Sequence, residues 1–179
     1  MKKYVAFALA GAFALLSLAS CKKDKSANPY NNYITGVTLT NYDAVPIGTV
    51  GQPDVNNHTS NFNLMLYPTP SVTSLRAAVV INNAAPVTLT VKLVSALYVN
   101  PPANAIIENE TQAGMVMFSQ SRGLPAAPPP DTTGGITPAF PGQTCTFLFD
   151  VSSMPRGFYR VYVESSDGER YWDNAWLMY

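Results

Sequence analysis

The chain has 179 residues, and its 12% of charged residues is about half the share of a typical globular protein. Eleven basic residues balance 11 acidic ones; without Lys2 and Lys3 at the N-terminus, nine basic residues face 11 acidic ones, a net charge of about −2. Nucleic-acid binding requires a basic patch that displaces counterions. We therefore expect no nucleic-acid partner.

The N-terminus has the three parts of a secretory signal. Lys2 and Lys3 precede an apolar run over residues 5–18, and small residues follow up to Cys21. The segment ends in Leu-Ala-Ser-Cys, the lipobox at which maturation enzymes attach diacylglycerol to the cysteine and cut just before it. The apolar run is shorter than the roughly 20 residues of a spanning helix. We expect residues 1–20 to be a cleaved signal peptide and Cys21 to be lipidated.

Residues 21–33 are predicted to be a tether, because they begin with a polar, lysine-rich run that has no apolar periodicity. Attachment of several acyl chains gives stable anchoring, since each buried methylene contributes about 0.8 kcal/mol. The membrane is thus one predicted partner. We expect a cell-envelope protein that is lipid-anchored to the outer membrane. The sequence is compatible with either its periplasmic or its external side, so surface exposure is one of two alternatives.

The remaining chain has the pattern of an all-β protein. No segment after residue 20 repeats apolar residues at helical spacing, whereas β-branched and aromatic runs recur between Pro, Gly and Asn. One antiparallel β-sandwich domain over residues 34–179 is predicted. The predicted strands are Ile34–Asn41, Asn61–Tyr67, Leu75–Asn82, Val87–Leu97, Gly114–Ser119, Thr144–Val151, Gly157–Ser165 and Arg170–Leu177.

Two of the connections are predicted to be tight hairpin turns. The strands on either side of Asn82-Asn83-Ala84-Ala85 are expected to pair with each other. At the C-terminus, Asp167-Gly168 favours a two-residue type I′ turn between Ser166 and Glu169. This register places Val163 opposite Trp172, Val161 opposite Asn174 and Tyr159 opposite Trp176 on a core face.

The same register collects polar and aromatic residues on the opposite face, with Tyr162 opposite Asp173 and Glu164 opposite Tyr171. This face is either an ordinary solvated surface or an aromatic platform for a sugar or a protein partner. The candidate ligand-face residues are Arg160, Tyr162, Glu164, Tyr171 and Asp173.

The segment 124–135 is predicted to be a long loop, because it holds four prolines and a Gly-Gly pair. It is either functional or disordered. Asp131-Thr132-Thr133 within it resembles a short acceptor motif for O-glycosylation, and the alternative is an unmodified solvated loop. Cys145 is the only cysteine besides Cys21, so no disulfide can form within one chain once Cys21 is lipidated. Its strand-like surroundings predict a buried thiol rather than a nucleophile.

No catalytic, metal or cofactor constellation is recognisable. His58 is the only histidine and lies in a polar, turn-like run. Asp54, Asn56 and His58 alternate as cation ligands could, but a calcium loop needs more carboxylates and a glycine at the turn. No phosphate loop, CxxC pair or HExxH helix occurs. We therefore expect no catalytic residues, metal or cofactor.

Two segments resemble a known module. Residues 63–70 read NLMLYPTP, and residues 149–159 read FDVSSMPRGFY. In this order they resemble the type A C-terminal sorting domain of the type IX secretion system, in which a strand enters Tyr-Pro-Asn-Pro and a Pro-x-Gly-x-Tyr segment leads into the last hairpin. The resemblance covers residues 61–179 and implies an immunoglobulin-like β-sandwich.

These features favour a non-enzymatic cell-envelope lipoprotein whose β-sandwich serves adhesion, assembly or envelope structure through protein contacts. The first alternative is a carbohydrate-binding accessory lipoprotein that uses Tyr162 and Tyr171. The second is a degenerate type IX sorting-domain protein, as the resemblance implies.

Overall fold

The computed structural model describes Tyr30 and residues 32–83, 85–126 and 142–178. The signal peptide, Cys21 and most of the 124–135 loop lie outside these residues. The described part has a one-turn 3₁₀ helix at Glu110–Gln112 and no α-helix, so the all-β prediction is confirmed. Its strands are β1 (Tyr33–Ile34), β2 (Gly36–Thr40), β3 (Pro46–Gly51), β4 (Phe62–Tyr67), β5 (Ser74–Ile81), β6 (Val87–Tyr98), β7 (Val116–Leu124), β8 (Gln143–Asp150), β9 (Gly157–Ser165) and β10 (Arg170–Leu177).

Two packed sheets and a ribbon form the fold. The large sheet has the order β1-β6-β9-β10, with β7 also paired to β6, and the small sheet has the order β4-β5-β8. Strands β2 and β3 form a separate antiparallel ribbon, and the short β1 runs parallel to the end of β6. If β4 is taken as strand A, the sheets have the A-B-E and C′-C-F-G arrangement of immunoglobulin-like sandwiches.

A tyrosine corner fixes the entry into β9. Tyr159 is fully buried, and its hydroxyl donates a hydrogen bond of 2.7 Å to the carbonyl oxygen of Pro155, four residues upstream. The hydroxyl thus ties the chain between β8 and β9 to the strand that follows. This hydrogen bond occurs at the corresponding corner of immunoglobulin-like domains.

The main core lies between the two sheets. Alternate residues of β8, Cys145, Phe147 and Phe149, face inward, and the predicted burial of Cys145 is confirmed. Burial of each large apolar side chain stabilises the fold by about 1.5–3 kcal/mol. A second, smaller core lies on the outer face of the large sheet, where it contacts the ribbon; its buried members are Ile34, Val37, Ala96, Tyr98 and Phe158.

Three predictions about the strands were wrong. The strands around residues 82–85 do not pair with each other, because β5 belongs to the small sheet and β6 to the large sheet. Both bury alternate residues in the shared core, a pattern that a hairpin would also produce. The strand expected over Ile34–Asn41 is divided at Thr35, and β3 was missed because nearly all of its residues are exposed.

The predicted register of the last hairpin was also wrong. Its turn has three residues, Ser166 to Gly168, closed by a 2.9 Å hydrogen bond from the amide of Ser165 to the carbonyl of Glu169. Gly168 has φ of +97°, as in a three-residue turn that ends in a bulge. Tyr171 therefore lies opposite Val163, and Trp172 lies opposite Tyr162. A slip of one residue moves every side chain of β10 to the other face.

Gly157 should tolerate no side chain. It has φ of +144°, and an added Cβ would lie 2.0 Å from Oδ1 of the buried Asn109. We expect Gly157→Ala to lower the free energy of unfolding by about 2–4 kcal/mol, measured by urea denaturation. Gly123→Ala is the matched control, because nothing lies within 4 Å of its added Cβ. Equal stability of the two variants would contradict the packing described at Gly157.

Candidate functional site

The predicted ligand face does not exist as a single surface. Arg160, Tyr162 and Glu164 lie on the outer face of the large sheet, whereas Tyr171 and Asp173 lie on the inner face, opposite the core residues Val163 and Val161. The cause is the extra residue in the β9–β10 turn, which reverses the orientation of β10. Both tryptophans, expected in the core, consequently lie on the outer face.

The outer-face members of the predicted platform are covered by the chain itself. Tyr162 is only 3% exposed, and the ring of Tyr30 lies 4.8 Å from its ring. Trp172 packs on the other side, with its ring 6.3 Å from that of Tyr162. These residues therefore offer no open aromatic surface to a sugar.

Arg160 is a buried structural cation rather than a ligand-facing one. Its side chain is 1% exposed, forms an ion pair with Asp54, and donates a 2.9 Å hydrogen bond to Oδ1 of Asn174. Asn174 in turn donates to Asp54 and to the carbonyl of Gly36. Burial alone would raise the pKa of Asp54, but the hydrogen bonds and charge of Arg160 hold it below its ordinary value. This network fastens the start of the ribbon to the large sheet.

Asp173 lies beside a small cavity. The cavity has a volume of about 160 Å³ and is bordered by residues of β2, β3 and β4, among them Thr38, Pro46 and Leu64. The carboxylate accepts hydrogen bonds from Asn57 at 3.0 Å and from the backbone amide of Asn174 at 2.7 Å. Burial raises the pKa of Asp173 to about 6, although these hydrogen bonds and the charge of Arg160 oppose the shift.

A concave surface lies at one end of the sandwich, which we call the loop end. Here the described residues between β5 and β6 meet the β9–β10 turn and the segment that precedes β4. Thr88 and Ser166 exchange two hydrogen bonds of 2.9 and 3.0 Å, which join the turn to the start of β6. Asn83 and Gln143 both donate to the carbonyl of Pro125, so the two described stems of the predicted proline-rich loop reach the same end.

A cleft of about 740 Å³ opens between these loops. This volume is within the range of small-molecule pockets, about 300–1,000 Å³. Its polar lining consists of hydroxyl, amide and carboxylate groups, and none of the described residues that line it is basic. The polar residues are Thr59, Asn61, Asn82, Asn83, Ser166, Asp167, Glu169 and Tyr171; Ile81, Ala85, Pro86 and Val87 form the apolar part.

Tyr171 is the one member of the predicted ligand face that lines the cleft. Its ring stacks on Phe62 with a centroid distance of 3.6 Å and an angle of 6° between the planes. Burial and the nearby charges of Glu169 and Asp167 raise the pKa of Tyr171, against a hydrogen bond with Thr59. The phenol therefore remains protonated at neutral pH and is able to donate to a ligand.

The three residues considered as cation ligands do not converge on one site. Asp54 pairs with Arg160, Asn56 donates to the carbonyl of Arg170, and His58 lines a cavity of about 110 Å³ next to the cleft. Among the described residues, His, Cys, Asp and Glu side chains do not gather in groups of three or more that could hold a metal ion.

Comparisons of the chain with protein-family models, with curated proteins and with solved structures found no match. Within the part of the chain that the structure describes, no helix has the length and apolar character needed to cross a membrane.

The buried carboxyl of Asp173 should make the stability of the folded protein depend on pH. Because its pKa is about 6 in the folded protein and 3.8 in the reference state, the folded protein binds the proton more tightly. The tighter proton binding stabilises the folded protein fully below about pH 4, and this stabilisation is lost as the pH rises through 6. We expect Asp173→Asn to be more stable than wild type at pH 8, by up to about 3 kcal/mol, and to lose this advantage at pH 4.

The measurement is urea denaturation of both proteins at a series of pH values. Asp150→Asn is the control, because Asp150 is exposed and hydrogen bonds from Ser152 lower its pKa. This control should bring no stabilisation at pH 8. A pH dependence that is the same in wild type and Asp173→Asn would contradict the shifted titration.

Proposed function

We propose that this protein is a non-enzymatic lipoprotein of the cell envelope, anchored through Cys21, whose loop end binds a protein partner in adhesion or envelope assembly. The observation that carries the proposal is the 740 Å³ cleft at the loop end. In immunoglobulin-like domains the corresponding loops form binding surfaces on a rigid scaffold. The anchor itself is supported by the lipobox and the tether of the sequence.

The electrostatics of the cleft favour a partner that carries cationic or hydrogen-bond-donating groups. Asp167 and Glu169 contribute two carboxylates, and the cleft lining within the described part of the chain includes no Lys, Arg or His side chain. Nearby Arg170 is engaged elsewhere, because it forms an ion pair of 2.9 Å with Glu164. A basic side chain of the partner would therefore meet uncompensated negative charge.

A second candidate function is carbohydrate binding, favoured by the amides of the cleft. Asn61 and Asn82 each carry a donor and an acceptor in the side-chain amide, and the carboxylates add acceptors for sugar hydroxyls. This site differs from the Tyr162 and Tyr171 platform that the sequence predicted. Of those two tyrosines, only Tyr171 remains part of it.

The proposed lipid anchor is tested by measuring the acylation of variants at Cys21 and Cys145. We expect full-length wild type to carry acyl chains on Cys21 and to fractionate with membranes, whereas Cys21→Ser should lose both properties. Cys145→Ala is the matched control, since this thiol is 1% exposed in the core and should not affect acylation. Intact-mass measurement and membrane flotation check the result. Acylation that persists in Cys21→Ser would overturn the proposed anchor.

The loop end is tested by site-specific photo-crosslinking in intact cells. A benzophenone amino acid in place of Glu169 should give a discrete protein adduct, because this side chain lines the cleft. The same probe in place of Asn104, in the exposed connection between β6 and β7 at the opposite end, should not. Asp167→Asn should weaken the adduct at position 169 by roughly tenfold, as loss of a charged contact predicts.

The outcomes separate the two candidate functions. A protein adduct at position 169 that is absent at 104 supports a protein partner. Binding of the purified full-length protein to a glycan array, lost in Asp167→Asn with Glu169→Gln, supports the carbohydrate alternative instead. Equal adducts at both positions, or no binding in either assay, would contradict the loop end as the recognition surface.

A further inference from the structure

Tyr30 occupies a well-defined socket on the outer face of the large sheet. Its hydroxyl accepts a 2.5 Å hydrogen bond from Nζ of Lys92, and its ring packs at 4.8 Å and 47° against the ring of Tyr162. The guanidinium of Arg170 lies 5.3 Å from the centroid of the Tyr30 ring and 5.9 Å from that of Tyr162. Three side chains from β6, β9 and β10 thus hold one tyrosine of the N-terminal segment.

Two cations and one carboxylate surround this socket. Glu164 lies between the two cations, with an oxygen 2.6 Å from Lys92 and another 2.9 Å from Arg170. Burial would lower the pKa of Lys92, but its hydrogen bonds to Glu164 and Tyr30 raise the pKa above its ordinary value. Burial likewise acts to raise the pKa of Glu164, and the two cations hold it below. Lys92 and Glu164 therefore remain charged at neutral pH.

Tyr30 is held without being part of an apolar core. Neither the main core nor the smaller outer-face core includes it. Its contacts include hydrogen bonds with Lys92 and Glu164, a tilted aromatic pair and two cation–π contacts, each individually weak. The socket is thus suited to position a segment of chain, whereas the hydrophobic cores stabilise the sandwich.

We propose that the socket clasps the end of the lipid tether, so that the anchor at Cys21 leads directly to the outer face of the large sheet and holds this face close to the membrane. The proposal rests on the proposed lipid anchor. Its occupant is the chain's own Tyr30, nine residues after Cys21. Lys92, Glu164 and Arg170 are the positioning residues.

The clasp changes the reach of the tether. Nine residues extend at most about 30 Å, since each residue spans about 3.3–3.6 Å. Without the clasp the first fixed position would be Tyr33 in β1, and the reach would grow to about 40 Å. Tyr30 therefore limits how far the body can move from the bilayer, and it places the attachment point beside Lys92 and Arg170.

The native tryptophans report this distance. Trp172 and Trp176 both lie on the outer face of the large sheet, so energy transfer from them to a dansyl-labelled phospholipid measures how close this face is to the bilayer. The full-length acylated protein is reconstituted into phosphatidylcholine vesicles that contain the labelled lipid. We expect Tyr30→Ala to reduce the transfer efficiency, because the maximum reach increases from about 30 to about 40 Å.

Two variants control this experiment. Tyr30→Phe keeps the ring contacts with Tyr162 and Arg170 and should retain most of the transfer. Tyr42→Ala removes another tyrosine, which is 71% exposed at the tip of the ribbon, and should leave the transfer unchanged. If Tyr30→Ala transfers as efficiently as wild type, the clasp does not hold this face at the membrane and the proposal is overturned.

Thermal unfolding tests the clasp without the lipid. Tyr30→Ala should lower the Tm of the full-length protein in detergent, whereas Tyr42→Ala should not; equal Tm values would overturn the clasp. The acyl mass of Cys21 is measured on the same samples. An unacylated Cys21 together with a Tm shift for Tyr30→Ala would reject the lipid anchor and the membrane orientation, yet leave the docking of Tyr30 established.

Discussion

The conformation of one turn determines the two faces of the large sheet. The β9–β10 connection contains three residues, and Gly168 with its positive φ allows the chain to close in this form. The additional residue turns Trp172 and Trp176 outward and places Ala175 and Leu177 in the main core. With a two-residue turn, the indoles would point into a space filled by β4, and Arg160 would lose Asn174 as its neighbour.

Because Trp172 and Trp176 of β10 face outward, the β2–β3 ribbon can pack on the outer face of the large sheet as a second layer. Arg160, Asn174 and Asp54 form the polar link between this layer and the sheet. A buried guanidinium is stable only where its donors find acceptors, and the carbonyl of Tyr33 supplies one more at 3.0 Å. The link orders the N-terminal part of the domain, so that Ile34 and Val37 reach the smaller core.

Much of the fold could be predicted from local sequence, whereas the site could not. Runs of β-branched and aromatic residues between turn residues located β4, β5, β6, β8, β9 and β10. Buried and less buried residues alternate in β4, β8 and the first half of β6, whereas β9 is buried on both faces. β3 has no row of buried residues that would identify it as a strand. The β5–β6 crossover has the same alternation of buried residues as a hairpin would have.

The cleft escaped prediction because its asparagines come from turns that become neighbours only once the strands are paired. Tyr30 was assigned to the tether, since the two tyrosines of residues 21–33 stand among polar residues without strand or helix periodicity. The sorting-domain resemblance and the lipid anchor remain predictions.

The placement of all three cleft-forming connections at one end has an evolutionary consequence. Each doubling of the length of a flexible loop costs only about 0.6 kcal/mol, and none of these turns contributes a large side chain to the main core. Insertions and substitutions there can accumulate while the tyrosine corner and the two sheets stay intact. Such a domain can therefore acquire new specificities by drift at its tip, much as antibodies diversify by changing loops on a constant framework.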